Sequence, residues 1–97
     1  MTYELDYEGF KDYLLKKTFI ATFGVQYIFK FDNGFGASVI KNVGSYGHEN
    51  DLWEVGVVIF GYGDAWHLTY KTPITNDVVG NCTDEEVRDI LSQIQKL

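Results

Sequence analysis

The stretch VQYIFKFDNGFGASVIK, residues 25–41, contains the clearest structural signal in the chain. Apolar residues alternate with more polar ones on both sides of Asn33 and Gly34, which is the two-residue period of a β-strand. Asn-Gly between two such runs is typical of a hairpin with a two-residue turn, because both turn positions then need positive φ. Residues 25–41 therefore predict two antiparallel strands.

The length of the turn also predicts how the two strands pair. A two-residue turn places Phe29 opposite Ser38 and Tyr27 opposite Ile40. Residues that face each other across an antiparallel pair share one face of the sheet. Each large ring would then lie beside a smaller or aliphatic side chain in one layer.

The residues after this hairpin predict two more strands and a helix. Leu52–Phe60 is apolar on both faces, which indicates a central strand. Residues 66–71 alternate again until Pro73, which has no N–H to donate to a ladder. Thr83 and Glu86 form the capping-box pattern ahead of an apolar stripe, and this pattern predicts a C-terminal helix.

The N-terminal residues predict a second helix, which would end near residue 17. Asp6 can cap its start, and Phe10, Tyr13 and Leu14 have helical spacing, although Gly9 weakens the pattern. The predicted fold class is α+β: a four-stranded antiparallel meander with N- and C-terminal helices, in the order α-β-β-β-β-α. The 97 residues suit one domain, residues 1–97.

Composition narrows the classes of function. The net charge is −6 with 8 basic residues, so the basic footprint that DNA or RNA binding requires is missing. An acidic surface suits solubility or a basic protein partner. The single cysteine, Cys82, allows no intramolecular disulfide. With no signal-peptide pattern and no apolar run of about 20 residues, we expect a cytoplasmic protein, in a host cell's cytosol, without a membrane partner.

The residues whose side chains could take part in a reaction or bind a metal do not form a catalytic pattern. His48 lies near Glu49 and Asp51, but metal sites show tighter ligand sets. Cys82 precedes a predicted helix, yet no feature places a base beside it. The glycines around Gly34 match no phosphate-binding loop. The sequence therefore predicts a protein without a catalytic residue, a metal or a cofactor, and hence not an enzyme.

The loops offer better candidates for binding. Aromatic rings can stack on a base or anchor a protein interface, and hydroxyls and backbone amides can hold phosphates without a large basic patch. Lys41, Lys71 and Arg88 would then supply the positive charge. Trp53 and Trp66 fit either the core or a site. The predicted ligand-binding residues are Ser45, Tyr46, His48, Tyr62, Thr75 and Asn76.

The second face of the predicted sheet is partly apolar, since it carries Ile28, Val58 and Phe60. Either the N-terminal helix and the loop of residues 42–51 cover this face, or a second copy of the chain does. A homo-oligomer is therefore one of two open interpretations.

Several stretches of the chain also resemble a group of known proteins. NGFGASVIKNVGSYG (residues 33–47), LWEVGVV (52–58), YKTPITNDVVG (70–80) and TDEEV (83–87) resemble small uncharacterised proteins encoded by bacteriophages of Gram-positive bacteria. The resemblance covers most of residues 27–91. It implies no catalytic or binding residue, but a phage origin favours a counter-defence factor.

Three functions agree with this interpretation. The first is sequestration of a nucleotide immune second messenger by non-catalytic binding. The second is inhibition of a CRISPR effector or another host defence protein through an acidic surface. The third is a minor virion or assembly protein. The expected partner is accordingly a nucleotide-type small molecule or a host defence protein.

Overall fold

A computed structural model of the chain describes residues 2–20 and 24–97. In these residues, one antiparallel sheet of six strands is accompanied by a single α-helix at the C-terminal end. Two short 3-10 turns cover Lys11–Tyr13 and His48–Asn50. The strands are β1 (Leu14–Ile20), β2 (Gly24–Lys30), β3 (Phe35–Asn42), β4 (Trp53–Phe60), β5 (Trp66–Leu68) and β6 (Val79–Cys82), and the helix is α1 (Asp84–Gln95).

The sheet follows chain order from β1 to β5, and β6 joins it at β4. One edge of β4 pairs with β3, while the other edge pairs with β5 near Phe60 and with β6 near Trp53. The prediction that this strand is central is therefore confirmed. The mixture of an antiparallel sheet with a C-terminal helix is also confirmed. The predicted order α-β-β-β-β-α is wrong, because residues 2–20 and 24–97 form six strands and one α-helix.

The predicted N-terminal helix is wrong. Residues 14–20 form β1, which pairs along β2 with Lys17 opposite Tyr27 and Phe19 opposite Val25. The preceding residues turn at Gly9, where φ is +92°. This turn brings apolar side chains to the core that one face of a helix would have reached. Their spacing in the sequence therefore resembles that of a helix, although no helix forms there. The sequence of β1, LLKKTFI, ends with residues that favour strands.

The predicted register of the central hairpin is wrong by one residue. Phe29 lies opposite Ala37, and Tyr27 lies opposite Val39. The turn contains three residues rather than two, because Phe31 N donates to the carbonyl oxygen of Phe35 at 2.8 Å. Gly34 has φ of +86°, which fits a type I turn followed by a left-handed residue.

The first face of the sheet carries the main hydrophobic core. Its large buried side chains include Tyr27, Phe29 and Trp53. The apolar stripe of α1 packs against it through Val87, Ile90, Leu91 and Ile94. The predicted capping box is present, since Thr83 and Glu86 each accept a hydrogen bond from the other's backbone N–H.

Residues 2–7, which we call the N-terminal strap, cross this first face. The hydroxyl of Tyr27 donates to the carbonyl oxygen of Tyr3 at 3.0 Å and accepts from Leu5 N at 3.1 Å. Asp6 N donates to a carboxylate oxygen of Asp84 at 3.1 Å. The strap is thus attached both to the sheet and to the start of α1.

The end of the β4–β5 hairpin covers part of the second face. Lys30 Nζ, on β2, donates to the carbonyl oxygen of Gly63 at 2.9 Å and to Asp64 Oδ1 at 3.1 Å. Ile28 and Val58 are buried on this face. The chain itself therefore covers part of the face, whereas the helix predicted to cover it does not form. A homo-oligomer stays a prediction.

Candidate functional site

Three of the six predicted site residues meet at one hollow. Ser45, Tyr46 and His48 lie in the loop between β3 and β4, and they line a polar hollow of about 340 Å³ that we call the loop pocket. Its other lining residues are Gly44, Gly47, Glu49, Asn50 and Asn81. Its volume falls within the range usual for small-molecule sites.

The backbone holds the shape of the loop pocket. Gly47 has φ of +100°, which a residue with a side chain adopts only with strain. The carbonyl oxygen of Gly47 accepts from Leu52 N at 3.0 Å, and that of Tyr46 accepts from Asn81 N at 3.3 Å. Tyr46 N donates to Glu54 Oε1 at 3.0 Å. These contacts fix the loop against β4 and β6 and explain the glycine-rich sequence.

The side chains of the loop pocket already have partners within the chain. Ser45 Oγ accepts from Asn42 N at 3.1 Å and donates to the carbonyl oxygen of Asn42 at 2.9 Å. His48 Nε2 lies 3.1 Å from the Tyr3 hydroxyl, and the two rings are stacked with their centroids 6.2 Å apart. Tyr46 is exposed. Of the three, Tyr46 has the most side-chain surface left for a ligand.

The charge of the loop pocket does not suit a phosphate. Its eight lining residues include the acidic Glu49 but no lysine or arginine. A phosphate group would meet a carboxylate there without a compensating cation, and like charges at short range repel. The loop pocket is better suited to the uncharged part of a polar ligand.

The structure places the other three predicted residues elsewhere. Tyr62 lies in the turn between β4 and β5 and is 99% exposed. Thr75 and Asn76 lie in the connector that precedes β6, where Thr75 Oγ1 accepts from Asp77 N at 3.0 Å. None of the three lines the loop pocket. The predicted set therefore does not form one site.

The two tryptophans have different roles. Trp53 is fully buried on the first face, and its indole N–H donates to Asp84 Oδ1 at 2.7 Å. Trp66 is 37% exposed on the second face and lines hollows on that face. The larger of the two has a volume of about 350 Å³ and is lined by Leu15, Lys16, Ile28, Asp64 and Trp66; we call it the Trp66 hollow.

Two of the three cations named from the sequence for a ligand site, Lys41 and Arg88, are paired with carboxylates of the chain. Lys41 is 1% exposed, and its ammonium lies 2.7 Å from Asp51 Oδ1. Arg88 is paired with Asp6 at 3.1 Å. Lys16 lines the Trp66 hollow and Lys30 pairs with Asp64 beside it, and neither lysine was predicted from the sequence as part of a ligand site. The strand-favouring residues Thr18, Phe19 and Ile20 after the two lysines were the signal that could have placed Lys16 on a strand.

The shifted pKa values belong to groups with structural contacts. Burial raises the pKa of Cys82 to about 11. The hydrogen bond from Lys41 lowers the pKa of Asp51, and the backbone hydrogen bond from Thr83 lowers that of Glu86. The hydrogen bond to Glu4 raises the pKa of Lys17. In the part of the chain that the structure describes, no group of three or more His, Cys, Asp or Glu residues is placed to hold a metal ion.

No helix in residues 2–20 and 24–97 is long and apolar enough to cross a membrane. Comparison of the chain with protein-family models, with curated proteins and with solved structures gives no significant match.

Proposed function

We propose that the chain acts by non-catalytic binding of a protein that has a basic surface. The observation that carries this proposal is the exposure of aromatic side chains on and after the β4–β5 turn. Tyr62 is 99% exposed on the turn and Tyr70 is 48% exposed beyond the far end of β5, and we call these two exposed tyrosines together the aromatic tip. Tyrosine is among the residues that dominate binding energy in protein interfaces.

The aromatic tip begins on a turn with a defined shape. Gly61 N donates to the carbonyl oxygen of Ala65 at 2.9 Å, and Ala65 N donates to that of Tyr62 at 3.1 Å. Lys30 ties the same turn to β2 through the Gly63 carbonyl. A side chain presented from a pre-formed turn loses less conformational entropy on binding than one presented from a flexible loop. This supports Tyr62 as an interface anchor.

Charge indicates the chemistry of the partner. The chain carries a net charge of −6, so its field attracts a basic surface and accelerates association with it. A host defence effector that binds nucleic acid has such a surface. The counter-defence setting comes from the resemblance of the quoted stretches to phage proteins, and the aromatic tip with the acidic charge agrees with an inhibitor of such an effector.

The test is capture of the partner by matched variants. Wild-type protein, the double variant Y62A/Y70A and the control F19A are immobilised and exposed to lysate of a Gram-positive host. Phe19 is a suitable control because it is 71% exposed on β1 and lies opposite Val25 of the core face, whereas the β4–β5 turn lies over the second face. We expect one protein with a basic surface to bind wild type and F19A, to be lost with Y62A/Y70A, and to elute at raised salt.

A partner retained equally by Y62A/Y70A would contradict this use of the aromatic tip. An inhibitor role requires one further result. Expression of the wild-type protein in a host with an active defence system should restore plaque formation by a sensitive phage, and Y62A/Y70A should not.

Sequestration of a nucleotide second messenger is a second candidate function. The convergence of Ser45, Tyr46 and His48 on the loop pocket favours it, while Glu49 and the lack of a basic lining residue weigh against it. Thermal unfolding with a panel of cyclic nucleotides and ADP-ribose derivatives tests it. A ligand at 100 times its Kd contributes about 2.7 kcal/mol, which raises the midpoint of a domain of this size by roughly 10 °C or more. The shift should shrink in Y46A if the loop pocket holds the ligand.

A further inference from the structure

The Trp66 hollow combines features that the loop pocket lacks. Its lining is partly apolar, because Ile28 is buried there and Leu15 lies beside it. Trp66 supplies an aromatic wall. Lys16 supplies an ammonium group, and it is exposed. Ligand sites typically have this composition of apolar and aromatic walls with a few polar groups.

The charge around the Trp66 hollow is positive in an otherwise acidic chain. Asp64 lines the hollow, but its carboxylate already pairs with Lys30 at 3.1 Å. Lys16 has no carboxylate within ion-pair distance among residues 2–20 and 24–97. The charges of the two lining residues, Lys16 and Asp64, cancel, and Lys30 beside the lining adds an excess of one positive charge. A small anion gains from this position, whereas it would be repelled by most of the surface.

From this combination we infer that the Trp66 hollow binds a small planar anion: an aromatic or heteroaromatic ring joined to a phosphate or carboxylate group. The ring stacks on Trp66 above Leu15 and Ile28, and the anionic group pairs with Lys16. Stacking on an aromatic side chain tolerates any planar ring, and lysine binds phosphate as a point charge. The volume of about 350 Å³ accommodates a ligand of the size of a nucleoside monophosphate.

This inference does not rest on the aromatic tip or on a protein partner. The residues that carry it, Lys16 and Trp66, are not those substituted in the test of protein binding. The two ideas therefore succeed or fail separately: Y62A/Y70A should leave binding of the small anion unchanged, and K16Q should leave capture of the protein partner unchanged.

The test follows the indole N–H signals of the two tryptophans by NMR during titration with adenosine 5′-monophosphate. We expect a saturable shift for Trp66 and none for Trp53, which is fully buried on the other face. Adenosine and inorganic phosphate, each alone, should bind at least tenfold more weakly. Phenyl phosphate and indole-3-acetate then show whether the site prefers a nucleotide, another aryl phosphate or an aryl carboxylate.

Variants connect the shift to the proposed contacts. K16Q should weaken binding by about tenfold, because a hydrogen bond to a charged group is lost, while K71Q, which removes an exposed lysine outside the hollow, should not. W66L should weaken binding by about fivefold or more through loss of stacking. If W66L does not fold, K16Q at an exposed position still decides the matter. Equal affinities for K16Q and K71Q, or no saturable Trp66 shift with any probe at millimolar concentration, would overturn the inference.

Discussion

The ammonium of Lys41 lies 2.7 Å from Asp51 Oδ1, and the lysine that carries it is almost fully buried. Lys41 is on the core face of β3, where its Nζ also donates to the carbonyl oxygen of Thr2 at 2.8 Å and lies 4.3 Å from the centre of the Trp53 ring. One buried cation thus joins the N-terminal strap, the loop before β4 and the core.

The two partners of this ion pair should differ in their effect on stability when they are replaced. D51N removes the charge that compensates a buried ammonium, and breaking a buried pair in this way costs about 3 kcal/mol. K41M keeps the packing of the stem on Trp53 and leaves Asp51 partly open to water, so it should cost about 1 kcal/mol. Urea unfolding of the two variants measures the difference. A larger loss for K41M would mean that the lysine acts mainly through its hydrogen bond to Thr2.

The same pair predicts loss of stability in acid. The hydrogen bond from Lys41 lowers the pKa of Asp51 below its ordinary value of 3.8. The stabilisation is therefore complete above about pH 5, and it is lost as the pH falls through the ordinary value and then the lower folded-state pKa. Wild-type protein should lose stability across this acid range, and D51N should show a shallower decline. Denaturant midpoints measured from pH 7 to pH 2 test this. Parallel profiles for both proteins would exclude Asp51 as a source of the dependence.

Asn33 should stabilise the end of α1 as well as its own turn. Its side-chain nitrogen lies 2.9 Å from the carbonyl oxygen of Ile94 and 3.2 Å from that of Leu97, and its Oδ1 accepts from Phe35 N at 3.0 Å. N33A loses all of these contacts and should cost about 1–2 kcal/mol. N33D keeps the acceptor for Phe35 but places a negative charge at the negative end of the helix dipole.

The comparison between these variants of Asn33 depends on pH. N33D should be less stable than N33A at pH 7, and the difference should shrink near pH 3 when the new carboxyl group is protonated. Thermal midpoints at both pH values provide the measurement. If N33D matched wild type at pH 7, the contacts with the helix carbonyls would contribute little.

The sequence predicts the parts of the fold that depend on local patterns. The capping box at Thr83 and the apolar runs of β2 and β4 need only neighbouring residues, and these elements are confirmed. The register is not predictable in this way, because Asn33 and Gly34 fit a two-residue turn and a three-residue turn equally well. The contact of Asn33 with α1 is one interaction that favours the longer turn, and α1 lies about sixty residues further along the chain.

The two candidate sites also differ in whether local sequence or long-range packing brings their residues together. Ser45, Tyr46 and His48 are close in sequence, so their convergence follows from a compact loop. The Trp66 hollow requires β1 beside β2 and the β4–β5 end folded over the second face, which are long-range arrangements. Because β1 was predicted to be a helix, the predicted fold did not place Lys16 near Trp66. Packing of distant segments, rather than local propensity, creates that hollow.

Cys82 should be unreactive in the folded protein. Its thiol is buried, and burial raises its pKa from an ordinary 9.0 to about 11. A rise of this size lowers the thiolate fraction at pH 8 by roughly 100-fold, and the thiolate is the reactive form. Native protein treated with iodoacetamide at pH 8 should therefore react at least 100-fold more slowly than protein in denaturant. The K41M and D51N variants should react faster than wild type by a factor that rises exponentially with their loss of stability, because alkylation then occurs from the unfolded state. A rapid reaction of native wild-type protein would contradict the buried position of this thiol beside the start of α1.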